Sequence, residues 1–550
     1  MAGRAGKWSK SAAITTPIDH FPGAPPPAGG LPGGFGVAFD PETQFVGSDV
    51  LFGGSPPRLM RLNAAGVRAL AELRGGPVGA AGAGRLARRL TDAGLAHPRP
   101  PRPGAVVAPA ESRPAEVSVV IPVRDRTAGL DRCLAALGAG YPMIVVDDGS
   151  ADAAGVAAVC AARGARLTRR PVPGGPGAAR NDGLALVTTP LVAFLDSDCV
   201  TGPDWIARLA GHFADPMVGA VAPRVRPVTG QNVVGRYLAA RAPVDLGPRE
   251  ARVAPLTRLS YVPTAALLAR CSAIAGGGFD PRLRYGEDVD LVWRMVATGW
   301  RVRYDPSAEV GHAEPDRWAA VLARRFRYGT SAAPLARRHP GLVPPLILQA
   351  WPAASAAALL AGRPLTALAA YGAGTGQLVR LLRGWGVPAR GILRPMAGSV
   401  RQTWLGAGQW SIQYALPAVA AGLAWPGGRT RRARAGRRLA LASLLAGPPA
   451  AAWLRSRPRL DPVRFALGYL ADEVAYGAGV YRGAAAERLA APLLPRVAWR
   501  PLPKAATPAA PAATAALPAQ TTPAPAAVTG PASPADPSAP ASPAAPRKDP

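Results

Sequence analysis

The acidic residues that stand where chemistry needs them come in short clusters. They are Asp125 in IPVRDR, Asp147 and Asp148 in VVDDGS, Asp196 and Asp198 in FLDSD, and Glu287 and Asp288 in GEDVDLVWR. Asp196-Ser197-Asp198 closes the apolar run LVAFL and sets two carboxylates two residues apart, near one point. That arrangement suits a hard divalent cation carrying a diphosphate. Arg180 lies in PGGPGAARNDGL, where a glycine loop feeds a helical pattern. Backbone N–H groups and the helix dipole favour a phosphate there, and a guanidinium adds charge; a surface ion pair is the plainer use of Arg180. Glu287 and Asp288 precede Val289, Val292, Trp293 and Val296, which recur at helical spacing. Both acids therefore fall in a helix's first turn, where the dipole alone would favour them. A carboxylate there is also placed to take a proton from an attacking hydroxyl.

The elements that position these residues can be read from the same stretch. VSVVIPV, MIVV and LVAFL are short buried-type runs separated by helix-length segments, the pattern of βαβ units with a parallel sheet. Ligands of open α/β sheets bind beyond the carboxyl ends of the strands. Asp125, Asp147, Asp148, Asp196 and Asp198 all stand at such ends. Asp125 and the Asp147-Asp148 pair are thus placed to meet a nucleotide's base or ribose, although Asp125 also has the position of a turn-capping Asp.

VSVVIPVRDR, VVDDGS, ARNDG, FLDSD and GEDVDLVWR, in this order over about 180 residues, resemble the family 2 glycosyltransferases, inverting enzymes of the GT-A fold. GGFDPRLRYGEDVDLVWR, HAEP and RRFRYGTSAAPLARRHP are similar, more narrowly, to the glycosyltransferases of the mycofactocin system. The resemblance implies an α/β, Rossmann-like, mostly parallel sheet and a nucleotide-sugar donor, UDP-glucose. The implied acceptor is a peptide-derived redox cofactor precursor or its growing glucose chain. It also implies roles. Asp198 binds a divalent cation (Mg²⁺ or Mn²⁺), Asp196 meets the sugar or ribose, and Asp288 of the Glu287-Asp288 pair is the base, with Asp290 a weaker candidate. His312 stands where some GT-A enzymes complete the metal site; a lone histidine is also commonly structural. Gln-x-x-Arg-Trp of the processive members is replaced by ARRFRYG, which argues against long-chain processivity.

With 550 residues and a formal net charge of +30, the chain should hold several domains with a basic surface. Such a surface suits nucleotide-sugar phosphates or anionic lipid, and Arg-rich composition bias accounts for part of it. No nucleic-acid module is recognisable, so nucleic acid is not an expected partner. Cys133, Cys160, Cys199 and Cys271 form no C-x-x-C pair, which argues for a reducing compartment, and no apolar signal-peptide core opens the chain.

The expected order begins with a disordered leader over 1–35. A small winged-helix-like domain follows over 36–101, with Asn63 capping its first helix. It is similar to peptide-binding domains of peptide-derived cofactor pathways, which implies precursor capture; simple packing on the catalytic domain is the alternative. A Pro-rich linker over 102–115 leads to the catalytic domain over 116–340. An apolar helical region over 341–500 and a disordered Ala/Pro tail over 501–550 close the chain. Leu342–Gly362 and Gln402–Gly428 carry no charge and are long enough for a membrane span of about 20 residues. Two or more spans, or hairpins in the interface, are expected here, with Arg429–Arg438 on the cytoplasmic side. Ala-rich helices packed on the catalytic domain are the alternative. The catalytic domain is expected in the cytoplasm, next to the membrane. Two other functions compete: transfer to a polyprenyl-phosphate or cell-envelope glycan, and a non-catalytic peptide-binding scaffold.

Overall fold

The structure is a computed structural model and describes residue 25 and residues 29–101, 116–202, 204–386, 390–427 and 430–498. Most of the leader, the 102–115 linker and the 501–550 tail lie outside the described residues.

The N-terminal domain has strands β1 (Gly36–Phe39), β2 (Gln44–Val46), β3 (Val50–Gly53) and β4 (Arg58–Arg61), helices α1 (Ala64–Gly75) and α2 (Ala81–Ala93), and β5 (Ala96–Arg99). β2, β3 and β4 form one antiparallel sheet, and β1 pairs with β5. Asn63 caps α1 by accepting from the Gly66 N–H at 2.9 Å. α2 stops at Ala93. Gly94 takes the left-handed conformation (φ 70°), ends α2, and turns the chain into β5. Leu51, Leu70, Leu86, Leu90 and Leu95 fill this domain's core. A buried bidentate pair joins it to the next domain: Arg88 donates from Nη1 and Nη2 to Asp215, each at 2.6 Å. Arg301 to Asp92 adds a second link at 2.9 Å.

The catalytic domain runs β6 (Val117–Val123), α3 (Thr127–Leu137), β7 (Met143–Asp147), α4 (Ala153–Ala162), β8 (Arg166–Arg169), α5 (Pro176–Leu184), β9 (Leu191–Leu195), β10 (Cys199–Thr201), α6 (Trp205–Ala210), β11 (Val218–Val228), α7 (Val233–Arg241), β12 (Ala251–Val253), β13 (Ala266–Arg270), α8 (Cys271–Ile274), α9 (Glu287–Ala297), β14 (Arg301–Ala313), α10 (Trp318–Thr330) and α11 (Ala332–Arg338). The sheet order is β10-β14-β11-β13-β9-β6-β7-β8, with β12 beside β14. β6, β7, β8 and β9 are parallel, as the three apolar runs predict. Beyond β9 the sheet is mixed: β13 runs antiparallel to β9 and β11, while β14 runs parallel to β11. The runs are continuous rather than alternating because both faces are covered. Val119, Ile121 and Val145 enter one core, and Val120, Ile144 and Val146 enter the other.

The C-terminal region contains β15 (Ile347–Gln349), α12 (Ala350–Leu360), α13 (Pro364–Arg383), α14 (Arg390–Tyr414), α15 (Leu416–Ala424), α16 (Arg431–Ser456), α17 (Pro462–Glu487) and β16 (Arg496–Ala498). The membrane spans expected here are corrected by the structure: among the described residues no helix is long and apolar enough to cross a membrane. The charge-free runs are not single helices. Leu342–Gly362 becomes a loop, β15 and the short α12, and Gln402–Gly428 breaks between Tyr414 and Leu416, just before Pro417. Their Ala- and Gly-rich composition also keeps hydropathy low. The packed alternative describes the helices better. α7, α10, α14 and α17 share a core of Tyr237, Val321, Ile412, Phe465 and Tyr469. That core encloses two buried carboxylates. Glu473 accepts from Arg241 at 2.7 Å and from Gln409 at 3.1 Å, and Asp472 accepts from Tyr237 at 3.1 Å and pairs with Arg325.

Candidate active site

β6, β7 and β9 end side by side, so their acidic termini converge. Asp125 sits just past β6 at φ 53°, a left-handed conformation uncommon for a non-glycine residue. Its N–H donates to Ser150 Oγ at 3.0 Å, and its carboxylate accepts from the Ala151 N–H at 2.8 Å. Asp147 is buried and accepts from the Ser150 N–H at 2.8 Å and from Arg169 at 2.5 Å. Asp148 accepts from the Gly174 and Gly175 N–H groups at 2.7 and 2.8 Å. These three acids therefore shape the rim of the pocket and the glycine loop in front of α5. Asp125 is exposed, and its second carboxylate oxygen pairs with Arg124 at 3.6 Å; Asp147 is wholly enclosed.

Arg180 lies on α5 and is 3% exposed, so it is no surface ion pair. Nη1 donates to Glu287 at 2.9 Å and Nη2 donates to Asp196 at 2.7 Å. One guanidinium thus ties the end of β9 to the start of α9. Burial disfavours its charge, but Asp196 and Glu287 outweigh that and raise its pKa. α5 approaches the sheet closely enough that a Cβ on Gly183 would overlap Val120 and Val146.

Asp196, Asp198 and His312 bring one ligand atom each to within 4.8 Å of one another. β14 delivers the histidine, since Cys199 and His312 are register partners in the β10–β14 pair. His312 Nε2 faces Asp198 at 3.5 Å, and Nδ1 lies 3.1 Å from Glu314. Arg324 on α10 holds Glu314 from its other side. A carboxylate behind a histidine fixes its ring orientation and makes the other nitrogen a better ligand. Burial lowers the His312 pKa, but the Glu314 bond and the Asp198 and Asp196 charges outweigh it and raise it overall. Two carboxylates and an oriented imidazole fit a divalent cation of the Mg²⁺ or Mn²⁺ kind. Arg126 pairs with Asp198 at the outer edge.

Gly286 precedes α9 at φ 79°, and a Cβ there would crowd Leu335 and Ser331. This turn aims the three acids of α9 differently. Glu287 is buried against Arg180. Asp288 is half-buried and accepts from the Val289 N–H at 2.8 Å. Burial and the neighbouring Glu287 charge push its pKa up to about 7. Asp290 is fully buried and bonded to Arg294, Arg338 and His339 at 2.8 Å each. Burial alone would raise its pKa, but these three partners hold it far below the carboxylate range. Asp290 is thus a structural anchor and not a second base.

The structure brings Asp196, Asp198, Arg180, Glu287, Asp288 and His312 together, with Asp125, Asp147 and Asp148 along the rim. A carboxylate titrating near neutrality beside a cation-type ligand set is the equipment of group transfer to a hydroxyl. The family model for glycosyl transferase family 2 matches residues 118–273. A pre-mycofactocin glycosyltransferase of Mycobacterium tuberculosis is 39% identical over 498 residues, covering 85% of this chain and 98% of that protein. The chain belongs to the family 2 glycosyltransferases. An N-acetylglucosaminyltransferase of Rhizobium meliloti is 29% identical to this glycosyltransferase over 255 residues, 42% of this chain and 58% of that protein. Among solved structures, a mannosyltransferase from Pyrobaculum calidifontis in complex with GDP-Man and Mn²⁺ is 19% identical. It covers 63% of this chain and 90% of that one, with a TM-score of 0.33.

Glu314 and Arg126 belong to this glycosyltransferase's site; Glu314 stands in the HAEP motif without a role assigned to it, and Arg126 escapes a reading by motif. Glu314 carries one usable signal, its i+2 spacing from His312 at a strand's end. Arg126 carries none, since an Arg beside Asp125 is an ordinary turn residue.

Proposed function

We propose that this glycosyltransferase moves glucose from UDP-glucose to the mycofactocin precursor, a peptide-derived redox cofactor, and then to the sugar already attached, with inversion. The observation that carries the reading is Asp288, raised to about 7 beside the Asp196–Asp198–His312 cluster. The relative that covers 85% of this chain supports the acceptor. The acceptor oxygen forms a bond to the anomeric carbon while Asp288 takes its proton. The bond from that carbon to the diphosphate oxygen breaks, and its electron pair leaves with the nucleoside diphosphate. A divalent cation bound by Asp198, Asp196 and His312 would offset the charge of the departing diphosphate. Glu287 and Arg180 hold β9 and α9 in register, and Asp125 stands where the nucleoside would lie. The N-terminal domain would capture the peptide portion.

The test incubates precursor peptide products with a panel of nucleotide sugars and follows them by mass spectrometry. Hexose increments from UDP-glucose are expected, and their absence with every donor would refute the reading. A second reading has an observation of its own. An apolar cavity lined by Leu359, Val400, Trp404, Leu405, Ala446 and Ala450 lies in the helical region and would accept an isoprenoid chain. Label recovered in lipid extracts instead of peptide would favour a polyprenyl-phosphate acceptor.

A further inference from the structure

The C-terminal helices reach the reacting end of the cleft. α17 packs on α10 through glycines. A Cβ on Gly479 would overlap the Phe326 carbonyl, one on Gly483 the Thr330 carbonyl, and one on Gly329 the Tyr476 carbonyl. Backbones in such contact fix the position of Tyr476 on α17 against Arg325 and Tyr328 on α10. Arg325 lies over the Tyr476 ring, 5.1 Å from its centroid. Tyr328 in turn meets Tyr285, just ahead of α9, at 6.4 Å between centroids. Tyr261, in the loop between β12 and β13, is near enough to Asp288, Tyr476 and Tyr328 to feel their charges. After burial, these are the causes that raise its phenol's pKa.

The tyrosines of the molecule divide: some hydroxyls have a protein partner, while among the described residues those of Tyr141, Tyr285 and Tyr414 have none, like the three gathered here. The hydroxyls of Tyr237, Tyr304, Tyr371 and Tyr481 each donate to a protein oxygen. Tyr261, Tyr328 and Tyr476 are half-buried, and among the described residues their hydroxyls have no protein partner. A half-buried phenol normally finds a partner. Three unpartnered phenols around the base point to a ligand that carries both apolar faces and hydroxyls.

We propose that Tyr476, with Tyr261 and Tyr328, forms an aromatic wall beside Asp288 that receives the pyranose ring of a sugar-bearing acceptor. The C-terminal helical region thereby supplies part of the acceptor site. The inference rests on the proposed reading of Asp288 as the base, and it adds the residues that would receive a sugar already attached to the acceptor. The ring stacks its C–H face on the aromatic rings while its hydroxyls reach the phenols. Tyr476 is a specificity residue here, and Arg325 positions it.

The experiment uses the full chain and ligand-detected saturation-transfer NMR with glucose, cellobiose, maltose and laminaribiose, each with and without UDP and Mn²⁺. At least one disaccharide is expected to bind. Tyr476→Leu is expected to weaken that binding about tenfold, as befits loss of one stacked ring. Tyr476→Phe keeps the ring and should weaken it only about threefold. UDP binding and the thermal midpoint serve as controls, and Val474→Ala on the exposed face of α17 should change nothing. Equal disaccharide signals in wild type and a folded Tyr476→Leu variant would overturn the proposal. No disaccharide signal from a wild type that binds UDP would overturn it too. Failure of the UDP-glucose reading shows elsewhere, as missing UDP binding or hexose transfer.

Discussion

The two sides of the cleft are built in opposite ways. On the sheet side every carboxylate already has work: Asp147 and Asp148 hold loops, Asp196 takes Arg180, and Asp198 takes Arg126 and faces His312. On the α9 side, among the described residues, no side chain donates to Asp288, which accepts from the Val289 N–H, and the hydroxyls of Tyr261, Tyr328 and Tyr476 have no partner. The first arrangement is pre-organised for a charged group, because fixed dipoles and ions spare reorganisation when it arrives. The second is under-satisfied. A carboxylate left with so little to stabilise its charge is a better proton acceptor, which a base must be.

The sharpest way to break this contrast is on the sheet side. Asp198→Ala removes the carboxylate shared by Arg126 and His312. Turnover should fall below detection, and nucleotide-sugar binding should lose its dependence on Mn²⁺ or Mg²⁺, read by calorimetry with and without EDTA. Full activity in this variant, or a wild type indifferent to EDTA, would remove the cation from the reading.

On the α9 side, Asp288→Asn keeps the shape but takes no proton at neutral pH. Loss of a general base costs about 10²–10⁴-fold. It should appear in kcat, with donor KM unchanged. The wild-type pH profile tests the same group. The deprotonated form is active, so kcat/KM should rise with pH up to about 7 and level above it. The Asn variant should lose that acid limb. Glu287→Gln should do less, since its task is to hold Arg180.

Glu314→Gln tests whether orientation behind His312 matters. Second-layer partners of metal-bound histidines typically contribute about 10–100-fold in metal affinity. Activity should therefore shift to higher cation concentration and recover at saturation. Unchanged cation titration curves would reduce Glu314 to a partner of Arg324.

Legibility in the sequence followed the same divide. Acids at the ends of apolar runs can be placed from the runs alone, because a strand's end is local information. The α9 acids followed from the spacing of Val289, Val292, Trp293 and Val296. Contacts between distant segments were not legible. Tyr476 meets Arg325 only because glycines bring α17 onto α10; His312 beside Asp198 is foreshadowed by the family resemblance alone, and the β10–β14 register is what delivers it. Charge-free Ala/Gly stretches misled for a related reason. Absence of charge is compatible with either lipid or a helix neighbour, and Asp472 and Glu473 show which neighbour α17 has.

The smallest expected change in turnover gives the finest form of the comparison, within one helix. Asp288 and Asp290 are two residues apart, and their pKa values are displaced in opposite directions. Asp290→Asn should leave kcat nearly unaltered, because its carboxylate faces Arg294, Arg338 and His339 and no reactant. Its cost is in stability, about 3–5 kcal/mol for breaking a buried ionic cluster. The signs with pH also differ. A depressed pKa means that Asp290 stabilises the fold above its unfolded value near 4, and that this stability drains away as pH falls below it. A raised pKa means that ionising Asp288 costs the fold stability as pH climbs from about 4 to about 7. At pH 8, Asp288→Asn should therefore melt at or above the wild-type temperature while scarcely turning over, and Asp290→Asn should melt well below it while retaining kcat. Thermal melts at pH 8 paired with single-turnover assays read both. If the two variants lost stability alike and kept activity alike, both acids would be helix-start anchors, and the base would lie elsewhere in the cleft.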